Sequence, residues 1–296
     1  GQIIHIKTGR TLSYGELAEV AGKLDIPSNP PLKSKTKFSL IGKSIPRLDI
    51  PVKVNGHAKF GIDTRLPKML FATVKQSPVF GGEILSYDEK AAKKIKGVKA
   101  ILKLKNVVAV VADNTWSAIK GMEELLPKFH GGKTIGLNSQ KVKKDLITAL
   151  DKEGKAEISG HKVLDLEYEV PFLAHATLEP MNCTADVQEK FCEVWVPTQN
   201  QSKSMDVTKE ITNLDEEKIK IHTTFLGGGF GRRSETDFVD QAVSISKMVK
   251  KPVQLTWMRE EDIQHDYYRP ACISRFQISL GKNGLPLKWK NQLAGS

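Results

Sequence analysis

The chain contains the stretch Phe225-Leu226-Gly227-Gly228-Gly229-Phe230-Gly231-Arg232-Arg233, in which four glycines surround one phenylalanine and two arginines follow. Apolar residues alternate over residues 218–226, which predicts a strand before the glycines. Ser234 and Asp237 have the spacing of a capping box, and the apolar periodicity after them predicts a helix to about Lys250. The stretch therefore predicts a strand, a glycine turn and a helix start.

This local order is typical of a site that binds a negative or planar group. Glycine lets backbone N–H groups approach a ligand closely, and a helix N-terminus favours anions. We therefore predict that N–H groups of residues 227–233 point into a cleft. A turn that serves packing alone remains the alternative. Two known phosphate loops are excluded, because no Lys-Ser/Thr follows the last glycine and the G-x-G-x-x-G spacing is absent.

Composition limits the class of protein. A length of 296 residues suggests about two domains, and the formal net charge of +11 comes mainly from dispersed lysines. Basic and aromatic residues do not interleave, which argues against nucleic-acid binding. No stretch has the apolar length of a membrane span, and no signal peptide is visible.

The three cysteines are Cys183, Cys192 and Cys272, and none forms a C-x-x-C pair. Iron–sulfur or structural zinc ligation within this chain is therefore not expected. Cys183 and Cys192 lie on two neighbouring predicted strands. Buried thiols are favoured over a cross-strand disulfide, which stays open as the alternative.

Periodicity and turn signals predict most elements of the chain. Ser13 and Glu16 predict a capped helix near the N-terminus. Further predicted helices are 88–96, 115–126, 139–152, 202–212 and 237–250, and predicted strands are 69–75, 107–112, 163–170, 182–187, 192–196, 218–226 and 253–258.

The glycine stretch resembles the signature of the molybdenum hydroxylase large subunits, the xanthine oxidase and aldehyde oxidase family. Its Gly-Arg-Arg ending, followed by Asp237-Phe238, is most similar to the isoquinoline 1-oxidoreductase beta subunit. The resemblance covers about residues 10–290, and further blocks keep the family's order: Ile41-Gly42-Lys43, Pro46-Arg47-Leu48-Asp49, Lys53-Val54-Asn55-Gly56, Phe60-Gly61-Ile62-Asp63, Pro78-Val79-Phe80-Gly81-Gly82, 108–114, 175–182 and Pro197-Thr198-Gln199-Asn200.

The resemblance implies an α+β fold with an α/β hammerhead domain followed by part of the molybdopterin-binding domain. The boundaries expected are an N-terminal connector at 1–46, the hammerhead domain at 47–132, a linker with a helix at 133–162 and the first part of the cofactor-binding domain at 163–296. We expect the hammerhead and cofactor-binding parts to be separate compact units.

The resemblance also implies which residues bind the cofactor. In the family, a glutamine at the place of Gln199 hydrogen-bonds an oxo ligand of molybdenum, and the phenylalanine of the loop lies beside the cofactor. From the residues alone, Gln199 would be interpreted as a polar turn or helix cap. Arg232 or Arg233 would help to hold the phosphates. The predicted cofactor-binding residues are Gln199, Gly228, Gly229, Phe230, Gly231 and Arg232.

Two glutamates are predicted to lie near the substrate, Glu179 and Glu235. For Glu179, an exposed or arginine-paired carboxylate before a proline turn is the alternative. Xanthine-oxidising members carry a glutamate where this chain has Ser234, so a purine substrate is not expected. His175 has no partner at metal-site spacing. The family holds molybdenum through the pterin dithiolene, so no protein metal ligand is expected.

The implied function is hydroxylation of an N-heterocycle or an aldehyde by molybdenum–molybdopterin, with the dinucleotide form expected. In the family a Mo–OH group attacks the carbon, hydride passes to Mo=S, and electrons leave to an iron–sulfur (2Fe-2S) small subunit. A cytochrome c subunit is a further implied partner, and the periplasm is favoured over the cytoplasm. The alternatives are a non-catalytic scaffold and a simple anion or nucleotide binder.

The family's catalytic glutamate is expected beyond Ser296, so no catalytic residue is assigned within this chain. The N-terminal segment typical of the isoquinoline branch is also not found. We therefore expect a fragment of a large subunit that, purified alone, is inactive and holds no stoichiometric molybdenum.

Overall fold

The computed structural model describes residues 1–152, 154 and 158–296. Contacts between residues divide the chain into two compact units, Gly1–Gly56 and His57–Ser296. The first unit contains the strands β1 (Gln2–Ile4) and β2 (Thr11–Ser13) and the helices α1 (Tyr14–Ala21) and α2 (Ile50–Val54).

The capped helix predicted near the N-terminus is present as α1. The Ser13 hydroxyl accepts the Glu16 N–H at 3.3 Å, and the Glu16 carboxylate accepts the Ser13 N–H at 2.7 Å. Each side chain thus satisfies one N–H group that the first turn of a helix leaves unpaired.

The second unit holds the remaining elements. In chain order they are β3 (Leu70–Gln76), β4 (Glu83–Ser86), α3 (Glu89–Lys93), β5 (Val98–Lys103), β6 (Val107–Ala112), α4 (Thr115–Leu125), β7 (Lys128–His130), α5 (Ser139–Lys152), β8 (Lys162–Val170), β9 (Asn182–Val187), β10 (Cys192–Val196), α6 (Gln201–Thr212), β11 (Ile219–Thr223), α7 (Asp237–Val249), β12 (Val253–Thr256), α8 (Arg259–Gln264), β13 (Cys272–Leu280) and β14 (Pro286–Gly295). Short 3₁₀ turns at Gly61–Asp63 and Arg232–Ser234 flank the site described below. Within the described ranges, no helix is long and apolar enough to cross a lipid bilayer.

A seven-stranded mixed sheet forms the centre of the second unit, in the order β11-β10-β9-β12-β3-β6-β5. The pairs β10–β11 and β12–β3 are parallel, and the other neighbours are antiparallel. Helices together with this mixed sheet confirm the predicted α+β class.

The sequence of β6 explains why the sheet is covered on both faces. All six residues from Val107 to Ala112 are buried. Ala109 and Val111 belong to the core that α7 also lines, whereas Val108 and Val110 pack in a second cluster with α3 and α4 residues. Successive side chains of a strand point to opposite faces, so an all-apolar strand requires cover on both.

The predicted separation of 47–132 from 163–296 is wrong, because both ranges contribute strands to this one sheet. β12 pairs in parallel with β3, with Val253 opposite Leu70 and Leu255 opposite Ala72. β3 is a central strand, and its backbone groups need hydrogen-bonding neighbours on both edges. The boundary between compact units lies after Gly56. The family assignment of each range stays a prediction, and the predicted linker includes residues 153 and 155–157, which lie outside the described residues.

A three-stranded antiparallel sheet, ordered β14-β13-β8, contains the predicted strand at 163–170. The helix α5 packs on one of its faces, where Leu146 and Leu150 meet Ala271 and Ile273. β4 and β7 form a separate two-stranded ribbon.

Cys183 and Cys192 are free thiols with no exposed surface, which confirms the interpretation as buried thiols. Burial raises the pKa of Cys192 to about 12 and the pKa of Cys183 well above its usual value. Because the thiolate is the reactive form, we expect iodoacetamide at about pH 8 to label half-buried Cys272 and to leave the other two unmodified in the folded protein. Peptide mass mapping checks this, with a denatured sample labelled at all three positions as control. Labelling of Cys183 at the Cys272 rate would contradict it.

Candidate functional site

The residues 227–233, here called the glycine loop, connect β11 with α7. The loop turns sharply, since the Arg232 N–H donates to the Gly229 carbonyl at 2.9 Å and the Ser234 N–H donates to the Gly231 carbonyl at 3.0 Å. Helix α7 starts at Asp237, and its C-cap is Lys250, close to the predicted end.

The predicted capping box at Ser234 is wrong. Thr236 is the N-cap of α7, and it makes no side-chain capping bond. The Asp237 carboxylate instead accepts two hydrogen bonds from the Arg232 guanidinium, at 2.9 and 2.8 Å. A bidentate pair of two charged groups is stronger than a single hydrogen bond from a backbone N–H, so Arg232 competes successfully for this carboxylate.

Three consecutive backbone N–H groups of the glycine loop are unpaired. The N–H groups of Gly228, Gly229 and Phe230 donate to no acceptor among the described residues. On either side, the Gly227 N–H donates to Glu179 Oε2 at 2.8 Å and the Gly231 N–H donates to Gln199 Oε1 at 3.0 Å. Successive free N–H groups in a turn of this kind bind anions and other acceptor oxygens.

Phe230 is held in an unusual conformation. Its φ of 54° lies in the left-handed region, and 63% of its surface is exposed. A Cβ atom built on Gly228, whose own φ is +101°, would lie 3.2 Å from the Phe230 ring, so the ring folds back over the loop. A non-glycine residue in this region costs free energy and is common at functional sites.

Gln199 lies against the glycine loop. A Cβ atom built on Gly229 would come within 2.5 Å of Gln199 Oε1, so only glycine permits this approach. The Gln199 N–H also donates to the Arg233 carbonyl at 2.9 Å. With Oε1 occupied by Gly231, Nε2 remains a donor without a partner in the described part of the chain. The helix-cap role belongs to Asn200, which accepts the Lys203 N–H at 3.0 Å.

Glu179 is buried, with 7% of its surface exposed. Its Oε1 accepts from the Ile62 N–H at 3.0 Å and from Asn182 Nδ2 at 2.9 Å. Its Oε2 accepts from the Gly227 N–H at 2.8 Å and lies 3.3 Å from Arg233 Nη2. This is the arginine-paired alternative, and both oxygens are occupied. Glu179 therefore links the glycine loop to the turn at Gly61–Asp63. This geometry does not support the predicted position of Glu179 beside a substrate.

Both arginines of the loop are buried, Arg232 with 1% and Arg233 with 0% of its surface exposed. The Arg233 guanidinium donates to the Gly228 carbonyl at 2.8 Å and to the Glu179 carbonyl at 2.6 Å. Burial lowers the pKa of Arg233 to about 10, against the opposing effect of Glu179. The guanidinium groups thus hold the loop from inside the protein, and the predicted contact of Arg232 or Arg233 with ligand phosphates is not supported.

Arg232 joins a charged network that sequence reasoning missed. Besides Asp237, its Nε lies 2.9 Å from an Asp266 carboxylate oxygen, and its guanidinium lies 5.4 Å from the Trp257 ring centre and 5.2 Å from that of Tyr267. Burial disfavours the charge, but Asp237 and Asp266 outweigh it and raise the pKa of Arg232. Asp266 lies in no recognisable motif, so the sequence offers no signal for it.

Glu235 lies in a different environment from Glu179. It is half-buried, and its Oε2 lies 3.3 Å from Lys203 Nζ. It lines an open cavity of about 480 Å³, together with Phe80, Asp240 and Tyr267. Burial raises the pKa of both Asp240 and Tyr267. The cavity combines aromatic walls with carboxylates, which suits a small planar molecule.

In the described ranges, no group of three or more His, Cys, Asp or Glu side chains is placed to hold a metal ion.

A family model and several relatives match this chain. The family model described as "Molybdopterin cofactor-binding domain" matches residues 139–293, just over half of the chain. The membrane-bound aldehyde dehydrogenase [pyrroloquinoline-quinone] of Gluconacetobacter polyoxogenes is 31% identical over 273 residues, which cover 84% of this chain and 35% of that protein. The beta subunit of isoquinoline 1-oxidoreductase from Brevundimonas diminuta is 27% identical over 269 residues, which cover 84% and 34%. The chain thus spans about a third of the length of these relatives.

Solved structures show a similar fold. Quinoline 2-oxidoreductase from Pseudomonas putida 86 matches with a TM-score of 0.63 at 16% identity, over 85% of this chain and 39% of that chain. The Cu,Mo-CO dehydrogenase matches with a TM-score of 0.64 at 18% identity, over 85% and 40%. At these identities the likeness concerns the fold alone.

Proposed function

Because the chain belongs to the molybdopterin cofactor-binding domain family, we propose that its glycine loop holds molybdenum–molybdopterin in an oxidoreductase acting on an N-heterocycle or an aldehyde. The observation that carries this proposal is the run of free N–H groups at Gly228, Gly229 and Phe230 beside the free Nε2 of Gln199. The substrate classes follow from the names of the relatives, an aldehyde dehydrogenase and an isoquinoline oxidoreductase.

The residues present fit such a group. The free donors match the phosphate and oxo oxygens of the cofactor, and Gly229 leaves the backbone accessible where a Cβ atom would collide with Gln199. When bound, the cofactor supplies the two-electron redox chemistry of molybdenum.

The chain's own residues bind and orient. With the cofactor bound, Gln199 Nε2 would donate to one of its oxygens, and the exposed Phe230 ring would limit the access of water to that position. Arg232 and Arg233 hold the glycine loop in shape from the protein interior, in the way that residues behind the direct ligands orient a metal site. We further propose that the cofactor is the dinucleotide form.

The cavity beside Glu235 is the proposed place of the substrate. Phe80 and Tyr267 form aromatic walls suited to a planar ring, and Glu235 offers a carboxylate. Ser234 stands where a purine-binding glutamate is implied by the resemblance, so the proposed substrate is not a purine.

The proposal includes an iron–sulfur protein as electron acceptor, with a cytochrome c as a further partner. Several relatives are named as subunits, among them the beta subunit of isoquinoline 1-oxidoreductase and the large molybdopterin subunit of nicotinate dehydrogenase from Eubacterium barkeri. Such names support a multi-subunit enzyme.

Molybdenum analysis of the full-length protein purified from its native host tests the proposal, whereas residues 1–296 purified alone are expected to hold no stoichiometric molybdenum. We expect near-stoichiometric molybdenum, a fluorescent pterin after oxidation, and dye-linked oxidation of isoquinoline or an aldehyde. Absence of molybdenum and pterin would overturn the proposal. Phosphate binding without molybdenum would favour the simple anion binder, which the free N–H groups also support. The absence of both phosphate binding and molybdenum would favour the non-catalytic scaffold.

We expect the substitution Gly229→Ala to lower the molybdenum content of the host-purified protein about tenfold or more. The new Cβ atom would stand 2.5 Å from Gln199 Oε1, so the side chain or the loop must move. Elemental analysis per mole of folded protein measures the effect. The matched control is Gly15→Ala on α1, where the new Cβ atom would meet only Ser13 Oγ at 4.0 Å. Equal molybdenum in both variants would argue against the loop as the binding site.

A further inference from the structure

A histidine beside the glycine loop is oriented by a buried carboxylate. His175 Nδ1 lies 3.1 and 3.0 Å from the two Asp266 oxygens, and the His175 backbone N–H donates to Asp266 at 2.5 Å. Asp266 is 1% exposed and also pairs with Arg232 at 2.9 Å. Because a carboxylate only accepts, Nδ1 carries the ring proton, and in the neutral ring Nε2 is a bare acceptor.

The free edge of this imidazole faces the glycine loop. A Cβ atom built on Gly231 would lie 3.8 Å from His175 Nε2. Nε2 has no hydrogen-bond partner among the described residues. The neighbouring free groups, the N–H groups of 228–230 and Gln199 Nε2, are all donors. His175 therefore adds one fixed acceptor to a site made of donors.

We propose that His175 is a ligand-contacting residue of the glycine-loop site, and that it accepts an O–H group of the bound oxyanion. The site then prefers a tetrahedral oxyanion that carries a proton, such as hydrogenphosphate, over sulfate, which has the same shape and charge but no O–H. Sulfate would place an oxygen lone pair against the lone pair of Nε2, and this acceptor would lose its partner. The inference shares the loop with the proposed function but does not require molybdenum.

Titration of the purified chain with potassium phosphate and with potassium sulfate, at equal ionic strength, tests the selectivity. At about pH 8 inorganic phosphate is mainly the dianion HPO₄²⁻ and so matches sulfate in charge. Backbone amide NMR shifts of 228–231 report the binding. We expect phosphate to bind about tenfold more tightly, a difference of about 1.4 kcal/mol. Equal affinities, or no binding of either ion, would overturn the inference.

Two further measurements separate contact from structural support. His175→Phe keeps a ring but removes the acceptor, so the selectivity should fall to within about twofold, whereas His222→Phe, a substitution beside Glu193 on the edge strand β11, should leave it unchanged. If His175→Phe does not fold, imidazole ¹⁵N shifts of the unaltered chain decide. Phosphate should move the His175 Nε2 resonance and sulfate should not, and an identical response to both ions would contradict the proposed contact.

The outcome is independent of the proposed cofactor. Molybdenum in the host-purified protein together with equal phosphate and sulfate affinities would overturn the role of His175 and leave the cofactor proposal standing. Selectivity for phosphate in a protein without molybdenum would support the role of His175 and overturn the cofactor proposal.

Discussion

Replacing Glu179 by alanine should lower the free energy of unfolding by about 3–5 kcal/mol. The substitution removes a buried carboxylate that accepts from Ile62, Asn182 and Gly227 and pairs with Arg233. Arg233 has no exposed surface, so its charge would remain buried without this counter-ion. Breaking a buried ion pair from one side costs more than the pair contributes in net stability, because the remaining charge is uncompensated.

Urea denaturation measures this loss, and Glu179→Gln refines it. The glutamine retains one acceptor oxygen and the volume of the side chain but places an NH₂ group among donors, so we expect a smaller loss of about 1–3 kcal/mol. The matched control is Glu189→Ala, a substitution of an exposed glutamate in the β9–β10 turn that should leave the midpoint unchanged. Hydrogen exchange of residues 225–235 should also accelerate in both Glu179 variants. A loss of unfolding free energy in Glu179→Ala no larger than in the control would contradict the role of Glu179 as a link between the glycine loop and the turn at Gly61–Asp63.

Elements with a strong local signal could be predicted from the sequence. The strand at Val107–Ala112 and the helix opening after Asn114 lie where the apolar run and the cap residue indicate. The Asn114 side chain accepts the Ser117 N–H at 2.8 Å, as an N-cap should. Both signals depend on residues that are close in the chain, and the local structure that they predict is retained in the folded protein.

Pairing between distant segments could not be predicted. Val253 pairs with Leu70 although their strands are separated by most of the chain, and no local feature of either strand indicates its pairing partner. The strand β5 is also absent from the predicted elements. Its short sequence Val98–Lys103 mixes lysines with apolar residues and directly follows a lysine-rich helix, so the alternation is weak.

In the candidate site, too, contacts between distant segments could not be predicted from local features of the sequence. The approach of Gln199 to the glycine loop is expected only through the family resemblance, because no spacing rule relates the two. Arginines after a glycine turn favour an anion site, whereas here both side chains point inward to Asp237, Asp266 and Glu179. Burial depends on tertiary packing, and a pair of adjacent charges gives no sign of it in the sequence.

Replacing Arg232 by methionine should also cost about 3–5 kcal/mol of unfolding free energy. Methionine approximates the aliphatic part of the side chain, so the change mainly removes the charge. Asp266, with 1% of its surface exposed, would lose its guanidinium partner, and Asp237 would lose two hydrogen bonds. The contacts of the guanidinium with the rings of Trp257 and Tyr267 would be lost as well.

A double-mutant cycle with Asp266→Asn assigns this loss to the ion pair. If the pair carries the effect, the double variant should be more stable than the sum of the two single losses predicts, by about 1–3 kcal/mol. The matched control is Arg47→Met, because the exposed pair of Arg47 with Asp49 should leave the unfolding midpoint unchanged. Additive losses in the cycle would mean that packing against Trp257 and Tyr267, and not the charge of Asp266, makes Arg232 necessary. The glycine loop would then rest on aromatic packing, and His175 would keep its orientation in the Arg232 variant.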